Sequence, residues 1–212
     1  MTGGKMLVVG AAGGIGAAVC AEAARRGWTC VGTSRREGAA AYRLDCADRD
    51  GLELALMRLF TAEGPFDAVV YCAGVCPVLP LARLDAAALE AAQAVNCTAF
   101  ILLMKHFARP GCCAKDGAVA LAVSSVSARE GWPGGTAYCA SKGALSAACR
   151  ALDAELKPRK LRVAAVEPGH VLTDMFRHGA GRMGVPASAA RPPEELAAEM
   201  LDLIEKLKEE RE

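Results

Sequence analysis

Short runs of apolar residues alternate along this chain with longer segments in which apolar residues recur at helical spacing. Most of the short runs are continuous in Val, Leu and Ala, which is typical of strands covered on both faces. Strands are predicted at Met6–Gly10, Thr29–Thr33, Tyr42–Asp45, Asp67–Cys72, Ala118–Ser124 and Arg162–Glu167. Helices are predicted at Gly14–Arg26, Arg49–Ala62, Asp85–Phe107, Tyr138–Lys157 and Pro193–Glu209.

The alternation of strand and helix predicts the fold class. Parallel strands joined by right-handed helical crossovers form an α/β, doubly wound parallel sheet, the Rossmann fold, here with about six strands. Residues 34–41, between the second and third strands, are too few for a full crossover helix. No strand is predicted after the last helix, so we expect the sheet to end with the sixth strand.

Charge and composition exclude several classes of protein. The 212 residues carry 25 Lys and Arg against 24 Asp and Glu, a formal net charge of +1, with no basic cluster of the kind that binds nucleic acid. A chain of this length buries on the order of 70% of its unfolded surface, so one core suffices. No run of eighteen apolar residues occurs, because Pro77 and Pro80 interrupt the stretch from 68 to 82, and we expect no membrane partner.

The ten cysteines show neither C-x-x-C spacing nor histidine partners. We interpret them as small apolar core residues of a protein in the reducing cytoplasm and expect no metal; metal binding or a disulfide framework is the less favoured alternative. The Lys and apolar run near the N-terminus resemble a signal peptide. Their glycine content favours a nucleotide-binding turn instead.

That turn is the segment VVGAAGGIG, in which a predicted strand reaches Gly10 and a helix opens at Gly14, Ile15 and Gly16. Glycines allow the backbone to turn sharply and to approach a pyrophosphate, whose charge is favoured by the free N–H groups of the helix N-terminus. The segment therefore predicts a dinucleotide site. The spacing Gly-x-x-x-Gly-x-Gly resembles the cofactor loop of the short-chain dehydrogenase/reductase family.

The end of the second predicted strand bears on the choice of cofactor. A guanidinium at Arg35, with Arg36 and Ser34 beside it, suits the 2′-phosphate of NADP(H), whereas an acid there would suit the ribose hydroxyls of NAD(H). NAD(H) remains the less favoured alternative. By the family resemblance, Asp45, followed by Cys46, corresponds to the aspartate that bonds the adenine amino group.

The segment YCAG resembles the family's Asn-Asn-Ala-Gly, whose small residues leave room for adenosine. Ala73 and Gly74 match, but Tyr71 and Cys72 stand at the asparagine positions. The two asparagines of the family are therefore not available here to support the end of the strand.

The segment SSVSAREGWPGGTAYCASK carries the predicted catalytic chemistry. Tyr138 and Lys142 lie four residues apart on one helix face, so the ammonium is expected to lower the tyrosine pKa from about 10 and to favour acid/base catalysis. Ser125 follows a predicted strand and precedes Tyr138 at the spacing that the family shows. Its hydroxyl would bond a substrate oxygen. The resemblance also implies that Asn96 holds a water molecule near the lysine.

The segment EPGHVLTDM resembles the family's Pro-Gly segment beside the nicotinamide. It supplies four further cofactor residues: Pro168, Gly169, Val171 and Thr173. Glu167 stands where the family often has asparagine. Among the histidines, His170 is interpreted as a loop residue without a catalytic role, and contact with the substrate is the less favoured alternative. His106 is interpreted as a residue on a helix surface, and His178 as part of a mobile segment after Met175.

The family resemblance implies an NADP(H)-dependent oxidoreductase acting on a carbonyl or alcohol, with residues 1–212 forming one Rossmann-type dinucleotide-binding and catalytic domain. Two alternatives stay open: an NAD-linked alcohol or hydroxysteroid dehydrogenase, and a non-catalytic regulator that senses NADP. Residues 176–192 should cover the site. Their arginines, Arg177, Arg182 and Arg191, are either available to an anionic substrate or simply solvated.

A homodimer is expected from the predicted helices Asp85–Phe107 and Tyr138–Lys157. Both carry apolar or small residues around more of their circumference than packing on one sheet face requires. In the family these two helices pair across a dimer axis.

Overall fold

The structure, a computed structural model, describes residues 3–179 and 184–210. Their strands form one six-stranded parallel sheet in the order β3-β2-β1-β4-β5-β6. The strands are β1 (Lys5–Val9), β2 (Thr29–Ser34), β3 (Tyr42–Arg43), β4 (Ala68–Tyr71), β5 (Ala118–Val123) and β6 (Leu161–Val166). This order, with crossovers on both faces, confirms the predicted doubly wound Rossmann fold.

Seven α-helices accompany these strands in the described residues. They are α1 (Gly14–Arg25), α2 (Leu52–Glu63), α3 (Ala86–Gln93), α4 (Ala99–Phe107), α5 (Thr136–Leu156), α6 (Asp174–His178) and α7 (Pro193–Glu209). Short 3-10 turns lie at Leu81–Arg83, Val126–Ala128, Lys157–Arg159 and Ala187–Ala189. As expected, the link from β2 to β3 contains no helix.

Alternation along each strand builds two cores, because successive side chains point to opposite faces. Leu7 and Val69 face the layer formed by α2, α4 and α5, where Leu56, Phe100 and Leu145 are fully buried. The other face carries the alternate strand residues, which pack against α1 and α7. Because both faces are covered, the central strands β4 and β5 consist of buried Ala, Val, Leu and Tyr.

The predicted helix Asp85–Phe107 is divided in the structure. Residues Ala94–Thr98 form a π-helical turn between α3 and α4. A π turn inserts an extra residue into a helix and is frequent at functional sites. Helical periodicity alone gives no sign of one inserted residue, and here the turn carries Asn96.

One stretch of the described chain, Ala86–Phe107, is long enough and apolar enough to cross a membrane when only length and composition are considered. Its mean hydropathy is 1.5. Phe100, Leu103 and Phe107 in this stretch are at most 1% exposed and belong to the sheet core. Core packing therefore accounts for these apolar residues, whereas Leu89 and Ile101 in the same stretch are exposed.

The interpretation of His106 as a surface residue is wrong, because this residue of α4 is buried, with 6% of its surface exposed. Burial lowers the pKa of His106, although Nε2 lies 3.9 Å from an oxygen of Glu53. Within the described chain this nitrogen has no hydrogen-bond partner. His178 forms the last residue of α6 and bonds the Asp174 carbonyl through Nδ1 at 2.8 Å.

All ten cysteines are free thiols. Cys46, Cys97 and Cys149 are buried, and the others are half-buried. Among the described residues, no group of three or more His, Cys, Asp or Glu side chains is arranged to hold a metal ion.

Candidate active site

The glycine turn joins β1 to α1 at the carboxyl edge of the sheet. Gly10 has φ of +85°, and a Cβ there would lie 2.8 Å from the backbone nitrogen of Ala73. A Cβ on Gly14 would lie 2.7 Å from Cγ2 of Thr173, and one on Gly16 would collide with the Gly10 carbonyl oxygen. The turn therefore packs closely against the segments of Ala73 and Thr173. A side chain at any of the three glycines would collide with neighbouring atoms.

A groove of about 570 Å³ runs along this turn. It is lined by most of the predicted cofactor residues, namely Gly10, Gly14, Ile15, Gly16, Ser34, Arg35, Arg36, Asp45, Cys46, Ala73, Gly74 and Thr173. The remaining ones, Tyr138, Lys142, Pro168, Gly169 and Val171, line a neighbouring cavity. Ile15, Gly74 and Thr173 line both spaces, so the two are adjacent.

At the far end of the groove, the basic residues that follow β2 are exposed. Arg35 and Arg36 extend from the strand end, and the buried Ser34 hydroxyl accepts a hydrogen bond from the backbone N–H of Arg36 at 3.1 Å. Asp45 accepts a hydrogen bond from the N–H of Ala47 at 2.9 Å. The Ser34 bond thus holds the turn that carries two guanidinium groups at the groove.

Tyr138 and Ser125 both line the cavity next to the groove. Burial raises the pKa of Tyr138 to about 12, while the nearby Ser125 hydroxyl opposes this rise. The expectation that Lys142 lowers the tyrosine pKa is therefore wrong for the protein alone. Ser125 also accepts a hydrogen bond from the N–H of Ser127 at 3.1 Å.

Lys142 lies one helical turn after Tyr138 and is only 3% exposed. Burial lowers its pKa to about 8. Its Nζ donates a hydrogen bond to the carbonyl oxygen of Val123, at the end of β5, at 2.7 Å and lies 5.8 Å from the centre of the Tyr138 ring. The cost of desolvating the ammonium outweighs its attraction to the surrounding groups.

Asn96 is fully buried in the π turn and holds the segment after β4. Its Oδ1 accepts a hydrogen bond from the N–H of Val75 at 2.8 Å, while Nδ2 donates to the Val75 carbonyl at 2.9 Å and to the Ser141 hydroxyl at 2.8 Å. A Cβ on Gly74 would lie 3.3 Å from Oδ1 of Asn96 and 3.5 Å from Nζ of Lys142. The two predicted residues therefore flank Gly74, but the Asn96 amide is engaged elsewhere.

Tyr71 has a role that sequence reasoning missed. Its side chain is fully buried at the end of β4, and its hydroxyl donates to the carbonyl oxygen of Val95, in the π turn, at 2.6 Å. Its ring meets the Phe100 ring edge-on, with centres 5.5 Å apart. The sequence showed only that a tyrosine replaces the family's asparagine at position 71. It could not show that the hydroxyl bonds Val95, because Val95 lies on another element.

A second group of unpredicted contacts centres on Glu167. Its carboxylate accepts a hydrogen bond from the Ser146 hydroxyl at 2.7 Å and pairs with Arg129 at 2.7 Å. The Ser146 and Ser124 hydroxyls are 2.8 Å apart, and Ser124 donates to the Lys142 carbonyl at 3.1 Å. These contacts join α5 to the ends of β5 and β6. The sequence pointed to them only through Glu167, an acid at a position where the family often has asparagine.

The cavity beside Tyr138 measures about 550 Å³. The Pro168 carbonyl accepts a hydrogen bond from the N–H of Val126 at 3.0 Å, which holds the Pro-Gly segment against the end of β5. His170 is exposed, lines the cavity and lies 5.4 Å from Phe176, centre to centre.

The arginines of the covering segment do not line this cavity within the described chain. Arg177 pairs with Asp174 at 2.9 Å, and Arg191 pairs with Glu199 at 2.7 Å. Arg182 lies outside the described residues.

Comparisons with known proteins agree with this architecture. Residues 5–181 match the family model described as short chain dehydrogenase. L-xylulose reductase of Bos taurus is 30% identical over 186 residues, which cover 82% of this chain and 75% of that protein. Glycine betaine reductase ATRR of Emericella nidulans is 32% identical over 192 residues, which cover 83% of this chain but only 15% of that protein.

Among solved structures, BdcA in complex with NADPH superimposes with a TM-score of 0.82 at 25% identity, covering 96% of this chain and 88% of that one. The fold and the family match place the chain in a class of nucleotide-binding oxidoreductases. The chain belongs to the short-chain dehydrogenase family, whose reductases act on small carbonyl or alcohol compounds.

Proposed function

We propose that this protein is an NADP(H)-dependent oxidoreductase that interconverts a carbonyl compound and its alcohol, with Tyr138, Ser125, Lys142 and Asn96 as its site. The observation that carries the proposal is that Tyr138 and Ser125 line one cavity that adjoins the glycine-lined groove, with the Ser125 hydroxyl close enough to lower the pKa of the phenol. Two hydroxyl groups on the wall of one cavity are able to contact one carbonyl oxygen.

The groove fits a nicotinamide dinucleotide. At Gly10 and Gly14 a Cβ would collide with Ala73 and Thr173, so the glycines let the turn pack tightly at the start of α1. Free N–H groups at a helix N-terminus favour a pyrophosphate, and those of α1 open onto the groove. Arg35 and Arg36 would hold the 2′-phosphate, and the likeness to a structure that holds NADPH supports this choice. When bound, the cofactor supplies or accepts a hydride.

Tyr138 is the proposed proton donor in the direction of reduction. Its raised pKa, about 12, keeps the phenol protonated at neutral pH, so that it has a proton to give to the substrate oxygen. Ser125 accepts a hydrogen bond from the Ser127 N–H, which leaves its own hydroxyl hydrogen free to donate to the same oxygen.

Lys142 would act on the tyrosine through its charge. With a pKa of about 8 it is mainly protonated at pH 7, and a cation stabilises the phenolate that remains after Tyr138 gives up its proton. We further propose that Lys142 holds the nicotinamide ribose and that a water molecule held at Asn96 returns protons to it. The close approach of Asn96 and Lys142 to Gly74 supports this arrangement.

We also propose a homodimer formed through α3, α4 and α5 in the cytoplasm. Leu89 of α3 and Ile101 of α4 are 40% and 42% exposed, and a second copy would cover them. Free thiols throughout suit a reducing compartment. Light scattering after size exclusion should give twice the chain mass, and a monomer at working concentration would contradict the dimer.

The direct test is a binding titration with NADPH and NADH, followed by a panel of carbonyl compounds in which NADPH consumption is measured. We expect tighter binding of NADPH and turnover of at least one compound. Equal or tighter NADH binding would replace the NADP assignment with an NAD-linked dehydrogenase. Tight NADPH binding without turnover across the panel would favour the regulator that senses NADP.

A further inference from the structure

The cavity beside Tyr138 has an aromatic wall that the proposed proton transfer does not use. Trp132 lines the cavity, and the centre of its ring lies 6.4 Å from that of Tyr138, at an interplanar angle of 54°. A substrate whose carbonyl reaches Tyr138 therefore has the indole beside it.

This indole is held in place from two sides. Its Nε1 donates a hydrogen bond to the buried Ser127 hydroxyl at 3.1 Å. A Cβ on Gly135 would stand 2.5–2.8 Å from three atoms of the ring, so only glycine lets Trp132 lie flat against the start of α5. A preorganised aromatic surface loses little conformational entropy when a ligand packs on it.

Other walls of the cavity are apolar as well. Val78, Phe176 and Val185 line it, together with Met175, which is 41% exposed. The N–H of Leu79 donates to the Gly134 carbonyl at 3.0 Å, which holds the Val78 segment against the loop of Trp132. Apolar walls with a few converging polar groups are typical of sites for small apolar ligands.

The charges around the cavity do not favour an anion. Among its described lining residues, Lys142 is the only lysine or arginine, and its ammonium already bonds the Val123 carbonyl. Glu130 is exposed and lines the cavity, where its carboxylate would repel a substrate carboxylate or phosphate. A polyol needs several polar partners, and the buried Ser127 hydroxyl, which accepts the Trp132 hydrogen bond, has only its own hydrogen left to donate.

We propose that the substrate of this site is an uncharged carbonyl compound bearing an aryl or similarly flat apolar group that packs on Trp132. The inference rests on the proposed oxidoreductase function and narrows its substrate class. It sets this chain apart from a relative such as L-xylulose reductase, whose name denotes a polyhydroxylated substrate.

Three compounds with the same hydroxyketone group test the class: 1-hydroxy-3-phenylpropan-2-one, its 4-carboxyphenyl analogue and dihydroxyacetone. With NADPH as reductant, kcat/KM for the phenyl compound should exceed each of the others by about tenfold or more. Equal or higher kcat/KM for the carboxylate or for dihydroxyacetone would overturn the proposal.

Substitutions at the indole show whether the preference comes from this wall. Trp132→Ala should lower the ratio of kcat/KM for the phenyl compound over dihydroxyacetone by about tenfold, while Trp132→Phe should keep most of it. Thermal unfolding of both variants confirms that they are folded. An unchanged ratio in folded Trp132→Ala would overturn the role of Trp132.

Fluorescence gives a readout that needs no turnover, because the chain has two tryptophans. In Trp28→Phe, emission comes from Trp132 and should change on addition of the phenyl compound. In the matched variant Trp132→Phe, emission comes from Trp28, buried in the α1 and α7 core, and should not change. No response of Trp132 at saturating ligand would overturn the proposal.

The two proposals fail in distinguishable ways. If Trp132 responds to the phenyl compound but none of the three is reduced, the binding class stands and the oxidoreductase assignment fails. If all three are reduced with equal kcat/KM, the oxidoreductase assignment stands and the aryl preference fails.

Discussion

The hydroxyl of Tyr71 donates a hydrogen bond to the carbonyl oxygen of Val95 at 2.6 Å. Tyr71 is the last residue of β4, and Val95 precedes Asn96 in the π turn. Asn96 in turn holds both backbone polar groups of Val75, just beyond β4. Strand, turn and loop are thus closed into one unit at the wall of the groove, and a tyrosine supplies the bond at a position where the family has asparagine.

Removing this hydroxyl should lower stability. Tyr71→Phe leaves the half-buried Val95 carbonyl without that donor, at a cost of about 1–3 kcal/mol in the free energy of unfolding. Denaturant unfolding measures the loss. The matched control is Tyr42→Phe, whose hydroxyl donates to Glu63 in a half-buried place and should cost less. Equal losses in the two variants would contradict the structural role of Tyr71.

A methyl group at Gly10 should damage both the fold and the groove. Gly10→Ala forces alanine to a φ of +85°, at a cost of roughly 1–2 kcal/mol, and drives its Cβ to 2.8 Å from the Ala73 nitrogen. Gly111→Ala is the control, since Gly111 has φ of +83° and open space around it. Only Gly10→Ala should also weaken NADPH binding in a titration. Equal NADPH affinity in the two variants would count against the groove as the cofactor site.

Arg35 should set the preference between the two cofactors. Arg35→Ser removes a guanidinium from the groove, and the loss of a charge-assisted bond to the 2′-phosphate should weaken NADPH binding by about 10- to 100-fold. NADH binding should change little, because NADH lacks that phosphate. Arg58→Ser, at an exposed arginine of α2 that does not line the groove, is the control. Parallel losses for both cofactors would show that Arg35 does not read the phosphate.

The buried ammonium of Lys142 should make stability depend on pH. Its pKa is lowered from 10.5 to about 8, so the folded chain bears the cost of burying a charge below pH 8, and neither state is charged above about pH 10.5. The stability of the wild type relative to Lys142→Met should therefore rise between these limits by about 1.4 kcal/mol per pH unit.

Urea unfolding from pH 8 to 10.5 measures this difference, and groups that titrate in both proteins cancel. Lys105→Met, which removes an exposed lysine paired with Glu53, is the control for the loss of one lysine. A difference for Lys142→Met that rises no more than that for Lys105→Met would mean that the ammonium is not desolvated.

The sheet was predictable because its signals are local. Continuous apolar runs such as the one ending at Val9 mark strands covered on both faces, and the glycines from Gly10 to Gly16 mark the turn at their carboxyl edge. The position of the predicted site residues beside the groove and the cavity was predictable as well. Motif spacing, together with the order of strands and helices, brings these residues to one edge of the sheet.

The contacts of those residues were not predictable. Whether the charge of Lys142 or the burial of Tyr138 dominates the tyrosine pKa depends on packing from several elements, and burial dominates. The π turn at Asn96 and the burial of His106 likewise follow from how α4 meets the sheet. The sequence did not identify Trp132 as a residue of the cavity wall. The contact between its indole and Gly135, which holds the ring in place, becomes visible only in the folded chain.

The most direct test of the account is the activity of Tyr138→Phe, which deletes one hydroxyl and keeps the ring. With a carbonyl compound that the wild type reduces, kcat should fall by about 10²- to 10⁴-fold. The dissociation constant for NADPH should stay within about threefold of the wild type, because the groove is lined by other residues. Undiminished kcat in Tyr138→Phe would contradict the proposed proton donor.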